Sequence, residues 1–405
     1  MNFANAIFAV LSLLSLVIVL WQWLAAKEFP LHRKIALPDF SPDITLLKPL
    51  KGCDETTAVS LRTWFRQHYP GKIQILLGVG SAEDPVCAIV RSLIAENPGC
   101  DAELVICERL HGENAKVAKL AQLEKIAKYD LILVSDADVR VPEDFLANIV
   151  APLRDERIGL VNSFYRLANP TTVAMRWEAV AVNADFWSQV LQSKTLKPLD
   201  FALGAVMLTR RKVLAEIGGF QSLAFCLADD FQLGNRIVKN GHGIALCPIV
   251  VECWDAPANW TQVWRHQLRW ARTIRVSQPL PYFFSIVSNA GFWSLLWLAC
   301  ELATATAHNV TLASGRAGAT FVAVPAGLLI ALACLSIRIF LVQNLQRRFT
   351  PGAGLISPFW LVPVKDVLQA ALWLGAFSGN TIEWRGRRMK LQPDGTLIAK
   401  KQKTA

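Results

Sequence analysis

Hydrophobic and polar positions divide this chain of 405 residues into three stretches with different periods. Residues 3–24, FANAIFAVLSLLSLVIVLWQWL, carry no charge, and a run of that length matches the roughly 20 apolar residues that cross a bilayer as a helix. From residue 42 to residue 250 the pattern changes to short β-branched runs separated by helical stretches. ITLLKPL (44–50), IQILLGV (73–79), AELVICE (102–108), DLILVSD (130–136) and IGLVNSF (158–164) read as strands, with helices at 55–68, 84–96 and 114–128 between them. This alternation predicts an α/β domain whose mainly parallel sheet is covered on both faces. Ligands of such sheets bind beyond the carboxyl ends of the strands.

Apolar runs return at 282–303, 317–340 and 355–378, each long enough to span. The last contains Pro358, Pro363, Lys365 and Asp366. A re-entrant or interfacial hairpin is expected there, because broken helices and intramembrane charges need protein-lined or wet surroundings. The expected organisation is an N-terminal transmembrane helix (1–26), the α/β domain (27–280), C-terminal membrane segments (281–380) and a basic tail (381–405).

Charge sets the expected orientation. Lys27, Arg33 and Lys34 follow the first apolar run, Arg347 and Arg348 follow the third, and WRGRRMK (384–390) opens the tail. By the positive-inside rule all three face the cytoplasm, which makes the chain a multi-pass integral membrane protein with its α/β domain on that side. A cleavable signal peptide fits poorly, since MNFANA carries no Lys or Arg and the apolar run is long for one. The net charge of +10 lies largely beside apolar runs, so anionic headgroups rather than nucleic acid are the expected counterpart. The nine cysteines form no C-x-x-C pair, and a reduced compartment without a zinc site follows.

The candidate chemistry begins at VSDADVR (134–140), where Asp136 and Asp138 end an apolar strand. Two such carboxylates repel unless a cation neutralises them, and a divalent ion shared with substrate phosphates is a common solution. A solvated turn is the plain alternative. A haloacid-dehalogenase-type nucleophile requires Thr or Val two places after the second aspartate, where Arg140 stands. A second acidic pair, Asp229-Asp230, precedes a helical run and is compatible with helix capping. WRHQLRWAR (264–272) interleaves aromatic and cationic groups just before the apolar region, as interfacial belts do.

LLKPLKGCD (46–54), Asp84-Pro85, the G-x-N-x-K of residues 112–116, DLILVSDADVRV (130–141), GAVMLTRRKVLAEIGGF (204–220), ADDF (228–231), Arg269-Trp270 and IEWRGRRMKL (382–391) stand in an order that resembles the inverting, membrane-bound glycosyltransferases of GT-A fold. More narrowly the chain is similar to glycosyltransferase family 21, the ceramide glucosyltransferases. The family's pattern of three separated aspartates and (Q/R)-x-x-R-W falls on Asp84, Asp136, Asp230 and Arg269-Trp270, and His266 departs from it at the first place of the last motif.

The resemblance implies a UDP-sugar donor, Mg²⁺ or Mn²⁺ at Asp136 and Asp138, and donor contacts from Asp54, Asp84 and Lys116. It further implies leaving-group and interfacial roles for His266, Arg269 and Trp270, an acceptor region at Gly204 and Asp229, and Asp230 as general base. Ceramide is the expected lipid acceptor. A hopanoid polyol receiving an N-acetylhexosamine stays open. A processive polysaccharide synthase fits less well, because Ala228-Asp229-Asp230 replaces Thr-Glu-Asp and few spans remain for a channel. A non-enzymatic scaffold would have lost acidic positions that are all retained.

Overall fold

The computed structural model describes residues 3–108, 111–313, 325–352, 354–384 and 387–399. Strands β1 (Ile44–Pro49) and β4 (Leu131–Ser135) are buried along their whole length and pair in parallel, as near-continuous apolar runs should. Next to β1 lie β2 (Ile73–Val79) and then β3 (Asp101–Ile106), both parallel to it. Beyond β4 the direction changes. Strand β7 (Val206–Arg210) runs antiparallel to β4, followed by β6 (Ile158–Leu167), β8 (Gly243–Cys253) and the two-residue β5 (Val139–Arg140). The order is β3-β2-β1-β4-β7-β6-β8-β5.

The five expected strands are present, with no end displaced by more than three residues. Three strands of this sheet lie outside that expectation, and one of them, β7, inserts antiparallel into its middle.

Helices α2 (Thr57–Phe65), α3 (Val86–Glu96) and α5 (Phe145–Val150) cover one face, burying Trp64, Val90 and Phe145 against Leu46, Leu77 and Leu133. Helices α4 (Ala115–Ile126), α8 (Arg211–Glu216) and α9 (Asp229–Lys239) cover the other, packing Leu120, Leu214 and Ile237 on Leu47, Leu76 and Ile132. Alternate residues of one strand thus feed two cores. Helices α6 (Val173–Val180) and α7 (Trp187–Leu196) are joined by a π-helical turn, Ala181–Phe186.

The apolar helices are α1 (Phe3–Glu28), α12 (Ala290–Ala313), α13 (Ala326–Phe349) and α14 (Leu361–Ala376), approached through α10 (Trp260–Ser277) and α11 (Pro279–Phe284). Among the described residues, α1 and α13 are long and apolar enough to cross a membrane; α11 with its following turn and α12 make a third if counted as one span, bent by 48°. The run expected at 282–303 is therefore broken, at Asn289, whose Oδ1 accepts the Phe292 N–H and whose Nδ2 donates to the Asp366 carbonyl. The beginning of the run expected at 317–340 lies outside the described residues.

The segment 355–378 holds a single helix of 16 residues, not a hairpin. At about 24 Å it is shorter than a hydrocarbon core. Its Lys365 and Asp366 are buried, where they meet Arg338 of α13 and Asp185 of the π-helical turn. A third core joins these helices to the sheet, with Trp187 stacked on Phe349 at 4.9 Å beside Phe164 of β6.

The expected basic tail is folded. Strands β9 (Thr381–Trp384), β10 (Arg387–Leu391) and β11 (Leu397–Ala399) form an antiparallel sheet. That sheet packs Ile382, Met389, Leu391 and Leu397 on Leu227, and Thr396 bridges to Cys226.

Candidate active site

The carboxyl ends of β1, β2 and β4 open on one edge of the sheet, and the loops after β1 and β2 are tied to each other there. Gly52, at φ 66°, donates its N–H to both carboxylate oxygens of Asp84, at 2.9 and 3.1 Å, so the aspartate after β2 fixes the loop after β1. Only glycine enters that left-handed conformation without strain. In the same loop Asp54 accepts hydrogen bonds from the Thr56 N–H and from the hydroxyls of Thr56 and Thr57. Burial opposes its charge, but these donors hold its carboxyl below the ordinary value.

Asn114 assembles the next part. It is buried, caps α4 by accepting the Lys116 and Val117 N–H groups, and donates from Nδ2 to the Cys226 carbonyl at 2.9 Å and to Asp229 at 3.3 Å. Lys116 therefore reaches inward, and its Nζ lies 2.7 Å from Asp136 and 3.4 Å from Asp229. Burial works against that ammonium, yet the two carboxylates hold it well above the usual lysine range.

Behind it Lys48 of β1 is fully buried, donates to the Ser135 hydroxyl and the Asp136 carbonyl, and stands 4.8 Å from the Trp64 ring. Burial pulls its ammonium down to about 7.

The remaining acids carry the strain. Asp138 is pushed up to about 7 by burial of its carboxyl and by the charges of Asp255 and Asp136. Asp230 is pushed up to about 6, again by burial first and by Asp229 second. A side chain at Gly204 would meet the Asp230 carboxylate at 2.8 Å, so glycine leaves room for that group. The capping expected of the acidic pair is not what the aspartates do. Ala228 stands at the cap position of α9 without a side-chain bond, and Asp229 turns instead to Asn114 and Lys116.

The Arg-Trp segment is helix α10, started by a capping box between Asn259 and Gln262. His266 meets Glu178 at 2.7 Å, and Gln267 donates to the same oxygen. Trp270 lies tilted between His266 and Phe186, with ring centres at 4.7 and 6.5 Å, and so packs on protein. Arg269 faces the tail sheet across a cavity.

The structure thus brings Asp136, Lys116, Asp229, Asp230 and Gly204 together, with Asp54 and Asp84 organising the adjoining loop. His266 and Trp270 stand against α6 and the π-helical turn. Lys48, Asn114, Glu178 and Asp255 belong to this arrangement; Glu178 and Asp255 lie outside the sequence expectation, while Lys48 and Asn114 stand inside its motifs without a role there. A lysine inside an apolar strand, a glutamate inside the apolar helix MRWEAV and an aspartate just past the carboxyl end of β8 are the signals that mark three of them. Among the described residues no three His, Cys, Asp or Glu side chains converge as metal ligands.

The profile of glycosyl transferase family 21 matches residues 6–397. The chain belongs to that family. Ceramide glucosyltransferase 3 of Caenorhabditis elegans is 23% identical over 226 residues, 55% of this chain and 48% of that protein. The ceramide glucosyltransferase of Candida albicans is 35% identical over 121 residues, 27% of this chain and 22% of that protein. This family 21 chain therefore spans less than half the length of either relative. The mannosyltransferase PcManGT of Pyrobaculum calidifontis, solved with GDP-Man and Mn²⁺, superposes with a TM-score of 0.51 at 19% identity, over 91% of this chain and 99% of that one. The likeness shows the fold, GT-A, as the sequence led one to expect.

Proposed function

We propose that this family 21 chain moves a hexose from a UDP-sugar, UDP-glucose, to the primary hydroxyl of a membrane lipid, ceramide, with inversion at the anomeric carbon. The observation that carries the reading is Asp230, whose carboxyl is raised to about 6 beside the Lys116–Asp136 pair. A base with that affinity accepts a proton near neutral pH and is still ionised to receive it. In the step, the acceptor oxygen bonds to the anomeric carbon while the bond from that carbon to the diphosphate oxygen breaks. The electron pair leaves with UDP, and the hydroxyl proton passes to Asp230.

A divalent cation fits the residues present. Asp138 is pushed toward protonation by burial first and then by the charges of Asp255 and Asp136, and a buried carboxyl crowded in this way is relieved by Mg²⁺ or Mn²⁺. Asp136 and Asp138 are the residues that would hold it, the donor's diphosphate supplying further oxygens. The chemistry it supplies when bound is neutralisation of the leaving diphosphate. Lys116 offers that diphosphate a fixed cation from the protein, while Lys48 braces the backbone at Asp136. Asp54 and Asp84 shape the loop that receives the nucleotide. His266, at the first place of the Arg-Trp motif, is held by Glu178.

The same reading sets the catalytic domain (27–280) on the cytoplasmic face, held by α1 before it and by the membrane segments of 281–380 after it. The test is transfer by purified protein in mixed micelles from radiolabelled UDP-glucose to ceramide, with Mn²⁺ or with chelator, and with the product anomer read by NMR. Cation-dependent formation of the inverted glucosylceramide is expected. A retained configuration sinks the single-displacement mechanism, and transfer only from a UDP-N-acetylhexosamine to bacteriohopanetetrol moves the enzyme to the other acceptor.

A further inference from the structure

Helix α10 divides its side chains between two sides. His266, Gln267 and Trp270 turn to Glu178 and Phe186, whereas Arg265, Arg269 and Arg272, spaced four and three residues apart, share another stripe. The arginine stripe forms one wall of a cavity of about 230 Å³, and the tail sheet closes the other wall with Thr381, Glu383 and Arg388.

Four guanidiniums face a single carboxylate among the lining residues described. That carboxylate, Glu383, is engaged by Arg265 at 3.2 Å. Arg272 donates to the Thr381 carbonyl and to the Ser378 hydroxyl, and its Nε is buried without a hydrogen-bond partner. Guanidiniums gathered this way repel unless an anion lies among them, and their planar forks match the oxygens of phosphate. The cavity is smaller than the roughly 300–1,000 Å³ of pockets that take a drug-sized ligand. A single phosphate group suits it better than a whole sugar nucleotide does.

Position in the chain indicates where that phosphate comes from. Helix α10 passes into α11, where Leu280, Phe283 and Phe284 are exposed, and from there into the apolar α12. Arg272 precedes Leu280 by eight residues, across the break at Gln278 between α10 and α11. If the exposed apolar residues enter hydrocarbon, the arginines stand at headgroup depth, where basic pockets meet anionic lipids.

We propose that the cavity between α10 and the tail sheet binds the phosphodiester headgroup of an anionic phospholipid, at a lipid site separate from the acceptor's. The proposal rests on the membrane reading above and on neither the donor nor the acceptor assigned there. Full-length protein is reconstituted in nanodiscs of phosphatidylcholine with and without phosphatidylglycerol, and native mass spectrometry counts the lipids retained on release. Retention of phosphatidylglycerol over phosphatidylcholine is expected, falling about tenfold or more in Arg388→Gln and less in Arg388→Lys. Equal retention in Arg388→Gln overturns the proposal. Displacement of the lipid by UDP or inorganic phosphate also overturns it, by returning the cavity to the donor's phosphates. Glycosyl transfer is assayed on the same samples, so a failed transfer beside intact lipid retention counts against the enzymatic reading alone.

Discussion

Two groups of buried charge in this protein obey opposite rules. Where the sheet meets the apolar helices, Asp185 and Asp366 face Arg338 and Lys365, two acids against two bases. Arg338 bonds both carboxylates bidentately at 2.8–2.9 Å, and Lys365 contacts both as well. At the edge of the sheet Asp136, Asp138, Asp229 and Asp230 have Lys48 and Lys116 as cations, and two of the four carboxyls are raised to about 7 and about 6. The matched group has no capacity left for a ligand. The acid-rich group is short of positive charge, which a cation, a proton or a substrate can supply. Balance marks a joint, and imbalance marks a site.

The sharpest break of this contrast is Asp230→Asn. It keeps the shape and removes the proton acceptor, so kcat is expected to fall by about 10²-fold or more while Tm holds or rises. Asp229→Asn should do less, because that carboxylate is already committed to Asn114 and Lys116. Normal transfer by Asp230→Asn with a dead Asp229→Asn would move the base by one residue.

The converse belongs to the joint. Arg338→Met strands Asp185 and Asp366 with Lys365 alone, and uncompensated buried charge of this kind costs about 3–5 kcal/mol. Thermal unfolding in detergent should show it as a large drop in Tm, with kcat per folded molecule unchanged. A rate loss without a stability loss would make the joint part of the site.

Between these lies Asp136→Ala. It is expected to weaken Mn²⁺-dependent UDP binding by about tenfold or more, read by calorimetry. Unchanged affinity would remove Asp136 from the cation's surroundings and leave it as the partner of Lys116.

The smallest effect sharpens the contrast through pH. Asp230 must be ionised to act, so kcat should rise through about pH 6 and then level. Its stability contribution runs the other way. A carboxyl raised above its ordinary value favours the fold fully at low pH and loses that contribution as pH climbs through about 6. Tm measured across that range should therefore slope downward, and Asp230→Asn should flatten the slope.

Much of the acid-rich site is legible in the sequence, because its residues follow strands whose apolar runs announce them. Asp84, Asp136 and Asp230 each stand close behind such a run or ahead of a helix, and β1 to β4 form where the runs predict. Strand β7 escapes because a run of five residues with three apolar ones, Val206 to Leu208, does not state its direction. The partners are harder to read. Asn114 and Asp229 meet across more than a hundred residues, and no local period encodes that. Lys365 and Asp366 read as charges that spoil a span; only the fold shows that Arg338 and Asp185 answer them. The tail's basic residues suggest a solvated end, whereas its buried Met389, Leu391 and Leu397 alternate weakly over too few positions to declare a sheet.

The bridge from Thr396 to Cys226 also orders events in time. The loop ahead of Asp229 and Asp230 is synthesised well before the strand that braces it, and every apolar helix from α12 to α14 is made in between. A nascent chain can form the sheet and seat Lys116 on Asp136 while the brace is still missing. The loop is braced only once the later helices have been made, so the setting of Asp229 and Asp230 is completed last, by the strand that brings Thr396 to Cys226.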